Sequence, residues 1–227
     1  MTKVKICGIK TPEHALTAAE AGADFIGLVF TQSPRQITPG QANKIVAAIK
    51  QNQKDVPEIV GVFVNTPAYV VNRIAEFCHL DYVQLSGDET MDYIKELTPP
   101  VFKVMKISRL HKPEQLCQDL AAWSKVLSKQ KHIFLLDTYD SERHGGTGQQ
   151  MDWDIAKPIA EKFQVIIAGG LNAENVSEVV NKVKPWGVDV SSGVETNGEK
   201  DMNKIKAFVK AVRDADGDNK YQGANGK

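Results

Sequence analysis

Two side chains that could transfer protons directly follow apolar, strand-like segments. Cys7 ends the first segment and precedes a glycine that leaves it uncovered, and Asp137 follows three apolar residues of a later one. N–H dipoles at a phosphate-binding mouth would favour the thiolate form of Cys7. Partial burial would raise the pKa of Asp137, so that it could donate a proton near neutral pH. The alternatives are a small buried apolar residue for Cys7 and a loop cap for Asp137.

Two segments near the C-terminal end change abruptly from apolar strand to small residues. Gly169 and Gly170 follow one segment, and Ser191, Ser192 and Gly193 follow the next. Glycine permits positive φ and a close approach of ligand to backbone, so that N–H groups can converge on an anion. In (β/α)8 barrels the loops after strands 7 and 8 frequently hold a phosphate. The sequence therefore predicts a phosphate site, against the alternative of two tight turns that bind nothing.

Other polar residues are candidates for the same mouth because they stand near predicted strand ends. Arg35, in the loop after strand 2, could hold a carboxylate in a two-pronged fork or could be a solvated charge. Gln84, near the end of strand 4, could point into the barrel. Lys5 and Lys106 lie near the ends of strands 1 and 5, and Lys106 could instead be a paired charge at the rim.

The loop after predicted strand 6 is long and polar. It spans residues 139–150 and contains Gly146. Loops of this length are often lids or binding loops, which makes Gly146 a further candidate. The five histidines show no metal-ligand spacing, so no metal site is predicted.

The overall composition excludes several classes of protein. The formal net charge is zero, from 28 basic and 28 acidic residues, which predicts no affinity for nucleic acid or membranes. No apolar run is long enough to span a bilayer, and no signal-peptide pattern is present. Three scattered cysteines suit a reducing compartment better than a disulfide framework. We therefore expect a cytoplasmic protein, with monomer and homodimer both left open.

The elements that must position these residues alternate regularly along the chain. Eight strand–helix units over residues 1–213 predict a single (β/α)8 TIM barrel. An open doubly wound sheet is less favoured because no GxGxxG motif follows an early strand. The predicted strands are apolar at nearly every position, as strands buried on both faces should be: Lys3–Cys7, Phe25–Phe30, Ile59–Val64, Tyr82–Leu85, Val101–Ile107, Ile133–Leu136, Val165–Ala168 and Val188–Val190.

Helix starts and the C-terminus are also predictable. Thr11, Thr38 and Thr66 each precede a proline, which predicts a capping hydroxyl before the first helical turn. Thr38 also has a glutamine three residues later, as in a capping box, and Asn172 is predicted to cap the seventh helix. Residues 214–227 are polar, Gly-rich and without periodicity, which predicts a disordered tail.

Taken together, these residues resemble the phosphoribosylanthranilate isomerase family over about residues 4–212. Any one segment is a weak signal, but their order is specific. One position departs from the pattern: members commonly have histidine where this chain has Ser86, which leaves any family role of that side chain open. The matching segments are Lys5–Ile9, Gly22–Asp24, Gly27–Phe30, Ser33–Arg35, Gly61–Asn65, Val83–Gly87, Leu135–Asp137, Gly145–Gly148, Asp152–Trp153, Ala168–Asn172 and Asp189–Glu195.

The resemblance implies an Amadori rearrangement in tryptophan biosynthesis, in which N-(5'-phosphoribosyl)anthranilate becomes 1-(2-carboxyphenylamino)-1-deoxyribulose 5-phosphate. Asp137 matches the family's general acid, which protonates the ribose ring oxygen and opens the ring to a Schiff base. Cys7 matches the general base, which removes the C2 proton and gives an enolamine. Arg35 would bind the anthranilate carboxylate, and the loops after strands 7 and 8 the phosphate. The imine is its own electron sink, so neither metal nor cofactor is expected.

Three rivals remain to be compared. A pentulose-phosphate epimerase would need a metal site of histidine and aspartate at strand ends, and no strand-end histidine is present. An indole-glycerol-phosphate synthase relies on strand-end lysines and glutamates, to which only Lys5 and Lys106 come close. A barrel that binds a phosphometabolite without catalysis is disfavoured by the presence of both Cys7 and Asp137.

Overall fold

The computed structural model describes residues 1–53, 55–107, 111–129, 131–138 and 153–224. Eight parallel strands pair in chain order and close into a barrel, because β1 pairs with both β2 and β8. The predicted fold is confirmed, and the predicted strand ends lie within two residues of those observed. The strands are β1 Lys3–Cys7, β2 Phe25–Val29, β3 Glu58–Phe63, β4 Tyr82–Leu85, β5 Val101–Ile107, β6 His132–Thr138, β7 Val165–Ala168 and β8 Gly187–Val190.

Helices alternate with these strands. Their bounds are α1 Pro12–Glu20, α2 Pro39–Asn52, α3 Ala68–Cys78, α4 Met91–Ile94, α5 Pro113–Val126, α6 Trp153–Ala160, α7 Val176–Val183 and α8 Met202–Ala224. A two-stranded hairpin, β9 Glu195–Thr196 and β10 Glu199–Lys200, lies between β8 and α8. In the described part of the chain, no helix is long and apolar enough to cross a membrane.

Aromatic side chains fill the end of the barrel interior opposite the mouth. The Phe25 ring lies 5.3 Å from that of Phe102 and 6.0 Å from that of Tyr82, and Trp186 packs on Phe25 at 5.9 Å. Alternate residues of each strand face this interior, while the others pack against the helices. The strands are therefore apolar on both faces, and polar residues in the interior stand out as candidates for function.

Two of the predicted helix caps are confirmed. The Thr11 hydroxyl accepts from the N–H of His14, and Thr38 forms a capping box with Gln41. The prediction for Thr66 was wrong: α3 begins after Pro67 without a side-chain cap, and the Thr66 hydroxyl donates to the carbonyl of Val64. A threonine–proline pair fits a loop as well as a helix start, since proline fixes φ in both.

The C-terminal helix continues beyond the predicted end of the barrel domain. Residues 214–224, predicted to be disordered, lie in α8. Ala215 is buried, and the Asp216 carboxylate accepts from the Thr2 N–H at 2.9 Å and from the Thr2 hydroxyl at 2.8 Å. The predicted boundary at residue 213 thus lies inside a helix. Contacts with the start of β1 hold the residues just after this boundary, although their composition alone indicated no ordered structure.

Candidate active site

Cys7 lies at the mouth of the barrel, packed with Val29 and Val62 at the ends of the two following strands. It pairs in register with Gly27, where an added Cβ would lie 2.8 Å from the Cys7 sulfur. Gly27 therefore leaves the space that the thiol occupies. The Cys7 residue is buried, with 8% of its surface exposed.

A buried ion pair lies next to this thiol inside the barrel. Lys5 and Asp189 are register partners on β1 and β8, and the Lys5 ammonium donates to the Asp189 carboxylate at 2.9 Å. Burial alone would lower the pKa of Lys5, but the charges and hydrogen bonds of Asp189 and Cys7 raise it above the ordinary value. Lys5 is therefore a charged residue inside the barrel, in electrostatic contact with the thiol that is the candidate base.

The electrostatics of Cys7 differ from the expectation. Burial raises the pKa of the thiol above its ordinary value, and Asp189 raises it further, while Lys5 and Lys200 lower it without prevailing. The shift runs opposite to the predicted thiolate, because desolvation of the thiol outweighs the nearby cations. The raised pKa favours the thiol form of Cys7 at neutral pH.

Asp137 follows Leu136 in β6 and pairs in register with Ala168 of β7. Burial and the like charge of Asp189 raise the pKa of Asp137 to about 6, against the lowering effect of Lys106 and Lys5. Lys106 is its register partner on β5. The expected rise of the pKa is confirmed, and a minor fraction of Asp137 stays protonated near neutral pH.

The small residues after β7 and β8 form two touching turns. Gly169 and Gly170 have φ of 98° and 67°, values open to glycine. Gly193 lies so close to the Leu171 carbonyl that any side chain would collide with it. A short 3-10 turn, Ser192–Val194, follows β8. The geometry matches a common phosphate site of barrels, in which the loops after strands 7 and 8 and a short extra helix converge.

Side-chain hydrogen bonds brace these turns. The Asn172 amide oxygen accepts from the N–H groups of Glu174 and Asn175, and the Asn175 side chain donates to the Gly170 carbonyl. Asn172 was predicted to cap α7, but α7 begins at Val176, so Asn172 instead forms an Asx turn. On the other turn, the Ser191 hydroxyl donates to the Cys7 carbonyl at 3.2 Å, which joins the phosphate-site candidate to the thiol strand.

Arg35 forms a two-pronged fork with a protein carboxylate. Its Nε donates to Glu195 Oε1 at 2.6 Å and its Nη2 to Glu195 Oε2 at 2.7 Å. Lys200 donates to the same Glu195 Oε1 at 2.6 Å. Burial alone would raise the pKa of Glu195, but hydrogen bonds from Arg35 and Lys200 hold it below the ordinary value.

The remaining sequence candidates fall in different places. Gln84 is buried in the barrel, where its amide nitrogen donates to the Ser86 hydroxyl at 3.1 Å and its amide oxygen has no partner among the described residues. Lys106 is exposed beside Asp137. Gly146 lies outside the described residues. No group of three histidine, cysteine, aspartate or glutamate side chains in the described ranges could hold a metal ion.

Sequence reasoning did not select three residues that the fold brings to this site, namely Asp189, Glu195 and Lys200. Asp189 carried a usable signal, since a carboxylate interrupts the apolar strand β8. The Asn197–Gly198 pair carried another, because it is the typical two-residue hairpin turn and brings Glu195 and Lys200 opposite each other.

Comparison with known proteins shows which family this chain resembles along its length. The family model described as N-(5'phosphoribosyl)anthranilate (PRA) isomerase matches residues 4–211. An N-(5'-phosphoribosyl)anthranilate isomerase of Dehalococcoides mccartyi is 46% identical over 217 residues, covering 96% of this chain and 98% of the relative.

Solved structures agree. The phosphoribosyl anthranilate isomerase of Thermotoga maritima has a TM-score of 0.81 at 35% identity, covering 94% of this chain and all of the other. A second structure, of an isomerase in complex with reduced 1-(o-carboxyphenylamino)-1-deoxyribulose 5-phosphate, has a TM-score of 0.77 at 33% identity and the same coverage. Since both sequence and fold match over nearly the full length, the chain belongs to the N-(5'-phosphoribosyl)anthranilate isomerase family.

Proposed function

We propose that Asp137 and Cys7 carry the two proton transfers by which this isomerase rearranges N-(5'-phosphoribosyl)anthranilate to 1-(2-carboxyphenylamino)-1-deoxyribulose 5-phosphate. The observation that carries the proposal is the position of both groups at one end of the barrel, on β1 and β6, with the Lys5–Asp189 pair acting on both. An acid and a base on separate strands suit transfers at two different atoms of one substrate.

Asp137 acts first, as the general acid. It protonates the ribose ring oxygen while the anthranilate nitrogen donates its electron pair to C1, so that the C1–O bond breaks and a Schiff base forms. With a pKa of about 6, Asp137 is protonated in about one tenth of molecules at pH 7. At its ordinary pKa of 3.8 the protonated fraction would be under about one thousandth. The buried position thus supplies the acid form that the step requires.

Cys7 then acts as the general base. Its thiolate removes the C2 proton, and the electron pair moves to the protonated imine to give an enolamine. Tautomerisation adds a proton at C1 and removes the hydroxyl proton at C2, which gives the ketone. In the productive form Cys7 is a thiolate and Asp137 is a carboxylic acid, so the two groups hold one proton between them. Because the pKa of Cys7 lies above that of Asp137, this form is less populated than the one in which Cys7 holds the proton. Lys5 and Lys200 stabilise the thiolate of that form.

The substrate's two anionic ends fix it between these groups. Gly169, Gly170 and the Ser191–Gly193 turn bind the phosphate through backbone N–H groups, and Arg35 binds the anthranilate carboxylate. This arrangement is supported by the open glycine turn and by the Ser191 hydroxyl bound to the carbonyl of Cys7. Binding energy at the ends thereby orients the sugar at the centre.

The assay is formation of the fluorescent product from N-(5'-phosphoribosyl)anthranilate by the purified chain. Turnover that disappears in both Cys7→Ala and Asp137→Asn supports the assignment, provided that both variants still bind inorganic phosphate. A barrel that binds the substrate and never forms product would instead be a phosphometabolite-binding protein, and the proposal would be withdrawn.

The ligand class and cellular setting follow from the family and the cysteines. A small phosphosugar is the ligand, as in the relative with a bound reduced product. A Thermotoga maritima relative is described as dimeric, so either a monomer or a homodimer suits this chain. We place the protein in the cytoplasm, where its three free cysteines, Cys7, Cys78 and Cys117, would stay reduced.

A further inference from the structure

The hairpin β9–β10 is an addition to the barrel with two charged side chains turned toward the mouth. Within the described part of the chain, β9 and β10 pair with each other and not with a barrel strand. Its turn residues Asn197 and Gly198 have φ of 54° and 81°, so that Glu195 and Lys200 face each other across the hairpin. The side chains of both residues are nearly inaccessible, at 6% and 1% exposed.

Glu195 occupies one edge of the Arg35 guanidinium and leaves another edge open. It takes the N–H of Nε and one N–H of Nη2 at 2.6 and 2.7 Å. No described residue accepts from either N–H group of Nη1 or from the second of Nη2, and these form the end-on fork that matches a second carboxylate. The Arg35 side chain is 27% exposed, so part of it is accessible to a ligand.

The aliphatic part of the Arg35 side chain lies against Gly8, the residue after Cys7. A Cβ added to Gly8 would lie 2.5 Å from the Arg35 Cδ and 3.3 Å from the Ser191 hydroxyl oxygen. Gly8 follows Cys7 directly and has φ of 81°. The guanidinium therefore reaches Glu195 by crossing the glycine next to the proposed base.

Lys200 keeps the buried carboxylate charged and connects it to the phosphate turn. Its ammonium donates to Glu195 Oε1 at 2.6 Å, to the Ser191 carbonyl at 2.9 Å and to the Ser191 hydroxyl at 3.4 Å. The Ser191 carbonyl also accepts from the Val194 N–H at 3.4 Å, so Lys200 and the 3-10 turn after β8 meet at the same oxygen. One network thus joins the loop after β2 to the turn after β8.

We infer that Glu195 is a positioning residue that fixes the Arg35 guanidinium with its end-on fork facing the substrate carboxylate, with Lys200 as the buried counter-charge. The inference rests on the proposed assignment of Arg35 to that carboxylate. Glu195 sets how well the enzyme distinguishes a substrate with the carboxylate from one without it. It does not touch the reacting atoms.

The test compares kcat/KM for N-(5'-phosphoribosyl)anthranilate with kcat/KM for N-(5'-phosphoribosyl)aniline, which lacks the carboxylate. The ratio of the two values is the discrimination, and it does not depend on the folded fraction because one preparation serves both substrates. Five enzymes are measured: the parent, Glu195→Gln, Arg35→Ala, the double variant and a control. Glu199→Gln is the matched control, since Glu199 stands on the same hairpin, 61% exposed, and pairs with Lys10.

Glu195→Gln should lower the discrimination by roughly three- to thirtyfold, as expected for directly coupled neighbours. In the Arg35→Ala background the same substitution should change it by less than about twofold, because no guanidinium remains to be positioned. Glu199→Gln should leave the discrimination unaltered. An unchanged or higher discrimination in Glu195→Gln, or an equal loss in both backgrounds, overturns the positioning role.

Failure of the underlying assignment has a different signature. If Arg35→Ala alone leaves the discrimination at the parent value, Arg35 does not bind the carboxylate. The carboxylate assignment of Arg35 and the positioning role of Glu195 then both fall. If Arg35→Ala lowers the discrimination and Glu195→Gln does not, the carboxylate assignment stands and the positioning inference is refuted.

Discussion

Asp137→Asn should make the enzyme inactive and, at neutral to alkaline pH, more stable. The amide cannot protonate the ring oxygen, so kcat/KM should fall by about 10²–10⁴. The stability gain arises because the folded protein holds the Asp137 carboxylate in a partly buried place beside the like charge of Asp189. Asparagine has nearly the same shape and no charge, so the cost of ionisation disappears.

The magnitude follows from the pKa shift. The pKa rises from 3.8 to about 6 on folding, a difference of about two units, or about 3 kcal/mol if fully expressed. Because the side chain is partly exposed, we discount this by half, to about 1.5 kcal/mol. The pKa is raised, so the parent bears no cost below pH 3.8, loses stability as the pH rises through about 6, and bears the full cost above that.

The assay is the melting temperature of parent and variant at pH 4.5 and pH 8. At pH 8 the variant should melt about 3–6 °C higher, since 1 kcal/mol shifts a domain of this size by roughly 2–4 °C. At pH 4.5 the difference should shrink to about one third, because the parent carboxyl is then mostly protonated. Asp88→Asn, on an exposed loop, is the control for losing one carboxylate, since surface substitutions usually change stability by less than about 0.5 kcal/mol.

Two results would refute the reasoning. Parent-level turnover of Asp137→Asn would mean that another group protonates the ring oxygen. The second result is a difference in melting temperature between variant and parent that is no larger at pH 8 than at pH 4.5. It would mean that the buried carboxylate carries no ionisation cost.

Three further predictions concern the thiol, the buried aspartate and the last helix. Cys7→Ala should reduce turnover by about 10²–10⁴ with the dissociation constant for inorganic phosphate nearly unchanged, and parent-level kinetics would exclude Cys7 as the base. The acid limb of the profile of kcat/KM against pH should lie near pH 6. Asp189→Asn should move this limb to lower pH, because the like charge that raises the pKa of Asp137 is lost. A limb that does not move would belong to another group. A chain ending at Asp216 should keep the parent melting temperature, whereas one ending at Arg213 should melt several degrees lower, because it loses buried Ala215 and the Asp216–Thr2 hydrogen bonds; equal melting temperatures of the two would show that these contacts contribute nothing.

The sequence by itself determined the barrel and the identity of the two proton-transfer candidates. Strands buried on both faces must be apolar throughout, so their limits are visible as plain runs such as Val165–Ala168. The closing topology then places every strand end at one mouth. Cys7 and Asp137 could be selected because reactive side chains directly after such runs have few other places to point.

Only the tertiary structure decided the charge states and partners of these residues. Whether Cys7 is a thiol or a thiolate depends on the balance between its burial and the charges of its strand neighbour Lys5 and of Asp189 and Lys200, which come from the far end of the chain. Lys5 and Asp189 are 184 positions apart, and so are Ser191 and Cys7. Local patterns report the φ/ψ preferences and burial of neighbouring residues, whereas electrostatic energies depend on distances in space. That is why a sequence could predict an arginine at the mouth, and only the fold could show Glu195 already holding one edge of it.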